Sequence, residues 1–146
     1  DRSSAASDVY KRQTKHRAED YIQIKGHRNL RTIYQQYELF IAASQSEGFG
    51  LTLMEAVGSG LGMIGFDVNY GSPTFIRHHQ NGYLIPIDFE QASTDDITTQ
   101  IAHMIIRYFK DGPIRAHEVS YDIAESFKTS HIVDLWRQLI EEVLYD

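Results

Sequence analysis

A chain of 146 residues, 42% of them hydrophobic and 12% aromatic, has enough apolar material to bury the core of one globular domain, which excludes a disordered chain. Its formal net charge of −6 excludes a general nucleic-acid binder, because there is no basic stripe to displace counterions from a phosphate backbone. No cysteine occurs, so disulfides and thiolate metal sites are excluded, and no apolar run approaches the roughly 20 residues that span a bilayer; a soluble, cytoplasmic protein is expected.

Residues 1–13 are small and polar without periodicity and read as a non-native or disordered leader, a tail that orders against a neighbour being the alternative; residues 14–146 carry the fold. A short strand is predicted at Tyr21–Ile24, closed by Lys25-Gly26, then a short helix within Arg28–Tyr37 and a second strand at Leu39–Ala43. A helix starts near Gly50 and stops at Gly58-Ser59-Gly60, and Met63–Phe66 reads as a third strand. Asp67–Pro73 is a loop, Thr74–His79 a helical turn and Tyr83–Ile85 a fourth strand. The region 93–146 is helical, with Ile97, Ile101, Ile105 and Tyr108 on one stripe, Val119, Ile123 and Phe127 on a second, and Ile132, Leu135, Trp136, Leu139, Ile140, Val143 and Leu144 on a third. These stripes are core or docking faces.

Strands alternating with helices give an α/β fold, a Rossmann-like parallel sheet with helices on its faces. Such sheets normally hold five or six strands, and about four are found here. The chain is therefore expected to begin inside a domain.

The stretch Ser46-Glu47-Gly48-Phe49-Gly50-Leu51-Thr52-Leu53-Met54-Glu55-Ala56 carries the chemistry. Its glycines permit a tight turn at a helix start, where unpaired N–H groups and the positive end of the helix dipole favour a phosphate. Leu51 and Glu55 share one helical face, so a phosphate on the N–H groups of Leu51 and Thr52 places ribose hydroxyls near Glu55 one turn on. Glu47 faces the opposite end of such a ligand. Glu47 on its own also fits a solvated turn residue, whereas Glu55 interrupts an apolar helix and calls for a partner. Asp67 and Tyr70 sit where they line the same cleft, although turn chemistry explains them equally well.

Two other motifs are set aside. Gly60-Leu61-Gly62-Met63-Ile64-Gly65 spells G-x-G-x-x-G, but it follows a helix and runs into a strand, the reverse of what a dinucleotide site needs. His78-His79 cannot place two metal ligands on one helical face, and no metal is assigned.

Ser46 to Leu51, Met54-Glu55-Ala56, Gly60, the strand at Met63-Ile64 and Asn81-Gly82-Tyr83-Leu84-Ile85 together resemble the C-terminal, donor-binding domain of family-4 retaining glycosyltransferases of GT-B fold. Their hallmark is two glutamates separated by seven residues, as Glu47 and Glu55 are. The resemblance runs from about Tyr21 to Pro86, with the terminal helices compatible. It is closest to a Gram-positive subgroup of O-GlcNAc transferases of serine-rich repeat adhesins and poly(glycerol-phosphate) α-glucosyltransferases.

The resemblance implies a role for each matched residue. Glu47 contacts donor-sugar hydroxyls, the backbone of Gly48, Phe49, Gly50, Leu51 and Thr52 meets sugar and diphosphate, Glu55 holds ribose, and Gly26-His27 borders the uracil pocket. The donor is a UDP-sugar, UDP-N-acetylglucosamine or UDP-glucose, with no further cofactor. The acceptor is a protein Ser/Thr or a polyol phosphate, handled at the inner face of the cell membrane. Two departures stand out: Gly62 occupies a position where many relatives have proline, and neither Arg12 nor Lys15 matches the basic diphosphate clamp.

In the retaining reaction the departing phosphate accepts the acceptor's proton, so Glu47 positions and is not a nucleophile. A glycosidase needs its two carboxylates about 5–10 Å apart across one bond, which suits this pair poorly. A non-catalytic, chaperone-like subunit of the same kind is the alternative, and an intact glutamate pair favours the catalytic member. The expected truncation further implies a chain without transfer activity on its own, an absent N-terminal domain, and an exposed final helix at Ile132–Leu144.

Overall fold

The computed structural model describes residues 11–26 and 28–145. A helix over 11–16 (α1) and a single turn, α2 (Arg31–Tyr34), precede β1 (Leu39–Ala42). From there strands and helices alternate: α3 (Leu51–Gly58), β2 (Gly62–Phe66), α4 (Gly71–Phe75) and β3 (Gly82–Ile85). Three further helices follow, α5 (Thr94–Asp111), α6 (Ala116–Glu125) and α7 (Thr129–Tyr145).

The sheet is parallel in the order β1-β2-β3, with Ile41 opposite Ile64 and Ile64 opposite Tyr83. Every residue of β2 is buried, as a central parallel strand covered on both faces requires. Strand periodicity divides its side chains between two cores. Met63 joins Ala42, Leu53, Ala56, Val57, Phe75 and Ile123 beneath α3, α4 and α6. Ile64 and Phe66 join Tyr83 and Ile85 on the opposite face, under Ile97, Ile101 and Ile105 of α5. The result is a three-layer α/β unit whose central layer has three strands among the described residues.

The predicted stop of α3 is a hydrogen-bonded cap. Gly60 adopts φ +79°, its N–H donates to the Val57 carbonyl at 3.0 Å, and the Leu61 N–H donates to the Ala56 carbonyl at 3.1 Å. Gly62 then enters β2 with its N–H on the Glu38 carbonyl at 2.8 Å, and a Cβ there would collide with the Tyr108 hydroxyl. Proline at this position would lose that hydrogen bond and meet the Tyr108 ring, which accounts for the glycine.

Two expectations are corrected. Tyr21–Ile24 is not a strand: it joins no ladder, and Tyr21 and Ile24 are more than half exposed. Alternating apolar residues specify a face, but a strand also needs a partner edge, and neither edge of this sheet takes this segment. The helix expected at Thr74–His79 lies earlier, at Gly71–Phe75. Pro73 is tolerated in its first turn, where N–H groups have no intrahelical acceptor, and the backbone turns extended at Ile76. The buried Asn81 side chain then holds the following turn, accepting from the Arg77 N–H at 2.7 Å and donating to the Phe75 carbonyl at 3.0 Å.

Of the expected leader, residues 1–10 lie outside the described residues. Residues 11–13 form part of α1, and the Gln13 side chain donates to the Ile22 carbonyl at 2.9 Å.

Candidate functional site

The turn between β1 and α3 lies beyond the carboxyl end of a parallel strand, where open α/β sheets hold their ligands. Gly50 opens α3 with φ +79° and ψ +63°, a left-handed conformation that disfavours a side chain. A Cβ there would stand 2.6 Å from the Leu53 Cδ1, so close packing demands glycine as well. The Gly50 carbonyl accepts from Leu53 and Met54 at 3.0 and 3.1 Å, and no side chain caps the helix. The N–H groups of Leu51 and Thr52 therefore have no intrahelical acceptor, and both residues are exposed. This is an anion-binding geometry at the positive end of α3.

Glu47 is fixed from two sides. Its carboxylate accepts from the Ser44 hydroxyl at 3.1 Å, and its carbonyl accepts from the Tyr70 N–H at 3.4 Å in a bridge between the turn and the loop after β2. Tyr70 thus stands beside Glu47, and the Asp67 N–H donates to the Ile85 carbonyl at 2.9 Å. Phe49, half exposed, sets its ring edge-on to Phe75 at 5.4 Å and Phe127 at 5.6 Å, tying the turn to α4 and to the end of α6. Gly48 has no neighbour in the space a Cβ would fill.

Glu55 interrupts the apolar sequence of α3 by standing on its outer face. Leu53, Ala56 and Val57 turn into the core while Glu55, on another face of α3, opens onto a cleft of about 570 Å³. Arg28, Asn29, Leu30, Tyr34, Gln35, Gly58 and Ser59 line the rest of it. Arg28 is anchored by its Nε, which donates to the Lys25 carbonyl at 3.0 Å. Gly26 lies just before this wall, exposed and at φ +62°, and His27 lies outside the described residues.

Sequence reasoning missed Ser44, Arg28, Asn29 and Tyr34. The first three belong to polar segments without a pattern, but Tyr34 follows Leu30 at helical spacing and was legible as a buried residue. It is 6% exposed, packs edge-on to Phe40 at 6.0 Å, and its hydroxyl has no hydrogen-bond partner among the described residues. Burial pushes that hydroxyl above the ordinary tyrosine range, and the charge of Glu55 adds to the effect.

The histidine pair serves the sheet. His78 accepts the Leu84 N–H on its Nδ1 at 3.0 Å, which satisfies a donor on the outer edge of β3. Among the described residues no group of three or more His, Asp or Glu side chains is placed to hold a metal ion.

Residues 3–107 match the family model described as "Glycosyl transferases group 1". Among curated relatives, the chain is 52% identical over 132 residues to the UDP-N-acetylglucosamine--peptide N-acetylglucosaminyltransferase GtfA subunit of Streptococcus pneumoniae serotype 4 (strain ATCC BAA-334 / TIGR4), covering 90% of this chain and 26% of that protein. Among solved structures, it superposes with TM-score 0.80 and 48% identity on the pneumococcal O-GlcNAc transferase GtfA in complex with UDP and GlcNAc, covering 96% of this chain and 28% of that one. It superposes with TM-score 0.85 and 45% identity on a chain of a GtfA/B complex, covering 97% and 28%. The chain thus spans about a quarter of the length of the curated relatives it matches.

Proposed function

The chain belongs to the glycosyl transferases group 1 family, and from that premise we propose that it forms the nucleotide-sugar-binding part of a retaining UDP-N-acetylglucosamine transferase that glycosylates peptide Ser/Thr in the cytoplasm. The observation that carries the reading is the left-handed Gly50 opening α3 between Glu47 and the cleft of Glu55. Diphosphate meets the N–H groups of Leu51 and Thr52, ribose meets Glu55, the base enters the cleft toward Arg28, and the sugar reaches Glu47. A related second subunit is the proposed partner, since a similar chain is solved in a GtfA/B complex.

A retaining transfer develops positive charge on the sugar and negative charge on the departing diphosphate. Stabilising that negative charge lowers the barrier. The start of α3 supplies fixed donors and a dipole for it without a reorganisation cost. Hydrogen bonds from Ser44 and the Tyr70 backbone restrain Glu47, which supports a role in contacting sugar hydroxyls.

Calorimetry with UDP and UDP-N-acetylglucosamine tests this division of labour. Glu55→Gln is expected to weaken both ligands about tenfold, because a neutral amide accepts hydroxyl groups less strongly than a carboxylate. Glu47→Ala is expected to keep the affinity for UDP and to lose only the increment that the sugar adds. Unchanged UDP affinity in Glu55→Gln would remove ribose binding from that residue. Transfer to a serine-rich peptide is the expected activity of the whole protein; transfer to a polyol phosphate in its place would overturn the acceptor.

A further inference from the structure

Tyr34 lines the Glu55 cleft and carries a hydroxyl that the packing of its ring does not require. The residue is almost fully buried, its ring is fixed against Phe40, and its Oη has no partner among the described residues. A buried donor left unsatisfied is costly, and phenylalanine would fill the same space without that cost. The hydroxyl therefore points to a use beyond its contacts with the described residues. Candidate acceptors are the polar side chains along the same wall. Ser59, whose hydroxyl donates to the Glu55 carbonyl at 2.8 Å, is a neutral and therefore weaker acceptor than a carboxylate. Glu55 carries the one carboxylate among the described residues that line the cleft, and a charged acceptor takes the stronger hydrogen bond. Its charge already acts on Tyr34, whose hydroxyl burial keeps protonated and hence a donor.

We propose that Tyr34 is a positioning residue for Glu55: when a nucleoside enters the cleft, the Tyr34 hydroxyl donates to the Glu55 carboxylate and holds its other oxygen toward the ribose hydroxyls. This rests on the reading of Glu55 as the ribose ligand. A carboxylate on a flexible side chain loses rotamer freedom on binding, and a second donor fixed in the wall reduces that loss. The Tyr34 hydroxyl, unpartnered among the described residues, then makes its hydrogen bond when the ligand binds.

The test is calorimetry on the full chain and on Tyr34→Phe, Glu55→Gln and the double variant, each titrated with UDP and with 2′,3′-dideoxy-UDP, beside the Tm of each free protein. Tyr34→Phe is expected to bind UDP about fivefold more weakly, a modest share of a charge-assisted hydrogen bond. It should bind the dideoxy nucleotide like wild type, add nothing in the Glu55→Gln background, and melt no lower than wild type. A structural role alone would move both ligands alike and lower Tm, and either result would overturn the proposal. Wild-type UDP affinity in Tyr34→Phe beside a defect in Glu55→Gln would overturn the proposal and leave the ribose reading standing. Wild-type affinity in Glu55→Gln would remove both together.

Discussion

Helices α3 and α7 carry apolar side chains at the same helical spacing, yet they end in opposite environments. α3 buries Leu53, Ala56 and Val57 between the sheet and α6, whereas α7 buries none of its residues and leaves Trp136 60% exposed. α3 lies between β1 and β2, so the crossover that joins two parallel strands also lays it on the sheet. No such closure acts on α7, which is separated from β3 by two helices, α5 and α6. A stripe specifies which face is apolar, and the chain topology specifies what that face meets. The turn before α3 benefits from the buried case: Leu53, packed beneath Gly50, ties the start of α3 to the core.

The comparison is broken most forcefully by truncating one residue in each helix. Leu53→Ala is expected to cost about 3 kcal/mol in urea denaturation, the range for a buried leucine whose cavity cannot fully collapse. Leu139→Ala, at a position about half exposed, is expected to stay within about 0.5 kcal/mol of wild type. Equal losses would show that α7 is covered in solution and that the contrast is false.

A smaller effect sharpens the link from the buried helix to the site. Gly50→Ala must hold a left-handed backbone and crowd Leu53, at an expected cost of about 1–2 kcal/mol together with loss of UDP binding. Gly48→Ala, two residues earlier and with open space at its Cβ, is expected to change stability by less than about 0.5 kcal/mol. Denaturation of the two variants side by side checks this, and similar costs would mean that the turn tolerates any backbone at Gly50.

The smallest expected effect is at the far edge of the sheet. His78 is held below the ordinary imidazole range, by burial first and then by the charges of His79 and Arg107, against an opposing pull from Asp67. The folded chain therefore takes up this proton less readily than the unfolded one. The contribution is complete above the unfolded value of about 6.5 and is lost as pH falls through the lower folded value. Amide exchange at Leu84, whose N–H donates to the His78 Nδ1, should gain protection across that window as pH rises, after correction for intrinsic rates. A flat protection factor would detach His78 from the β3 edge.

Most of the sheet was legible because β2 and β3 are short apolar runs bounded by glycine and flanked by amphipathic helices. Gly58-Ser59-Gly60 stopped α3 for a reason visible in the residues alone. Tyr21–Ile24 was misread because alternation is a local signal and strand pairing is not. The turn and helix from Glu47 to Glu55 were legible because they follow the chain. The site was illegible where it depends on approach in space, since nothing in the sequence brings Arg28 or Tyr34 opposite Glu55. The hydroxyl of Tyr34 was hidden by its ring, which satisfies an apolar pattern whatever its tip does.

If the start of α3 and the Glu55 cleft together hold a uridine diphosphate, amide-resolved NMR of the chain titrated with UDP will register it at both places. The expected result is a saturable shift that is largest at the amides of Gly48 to Thr52, extends to Glu55 and the segment 28–35, and leaves α7 unmoved. Saturable shifts centred elsewhere, such as the Arg107 and Arg115 surface, with Leu51 and Thr52 unchanged, would contradict it.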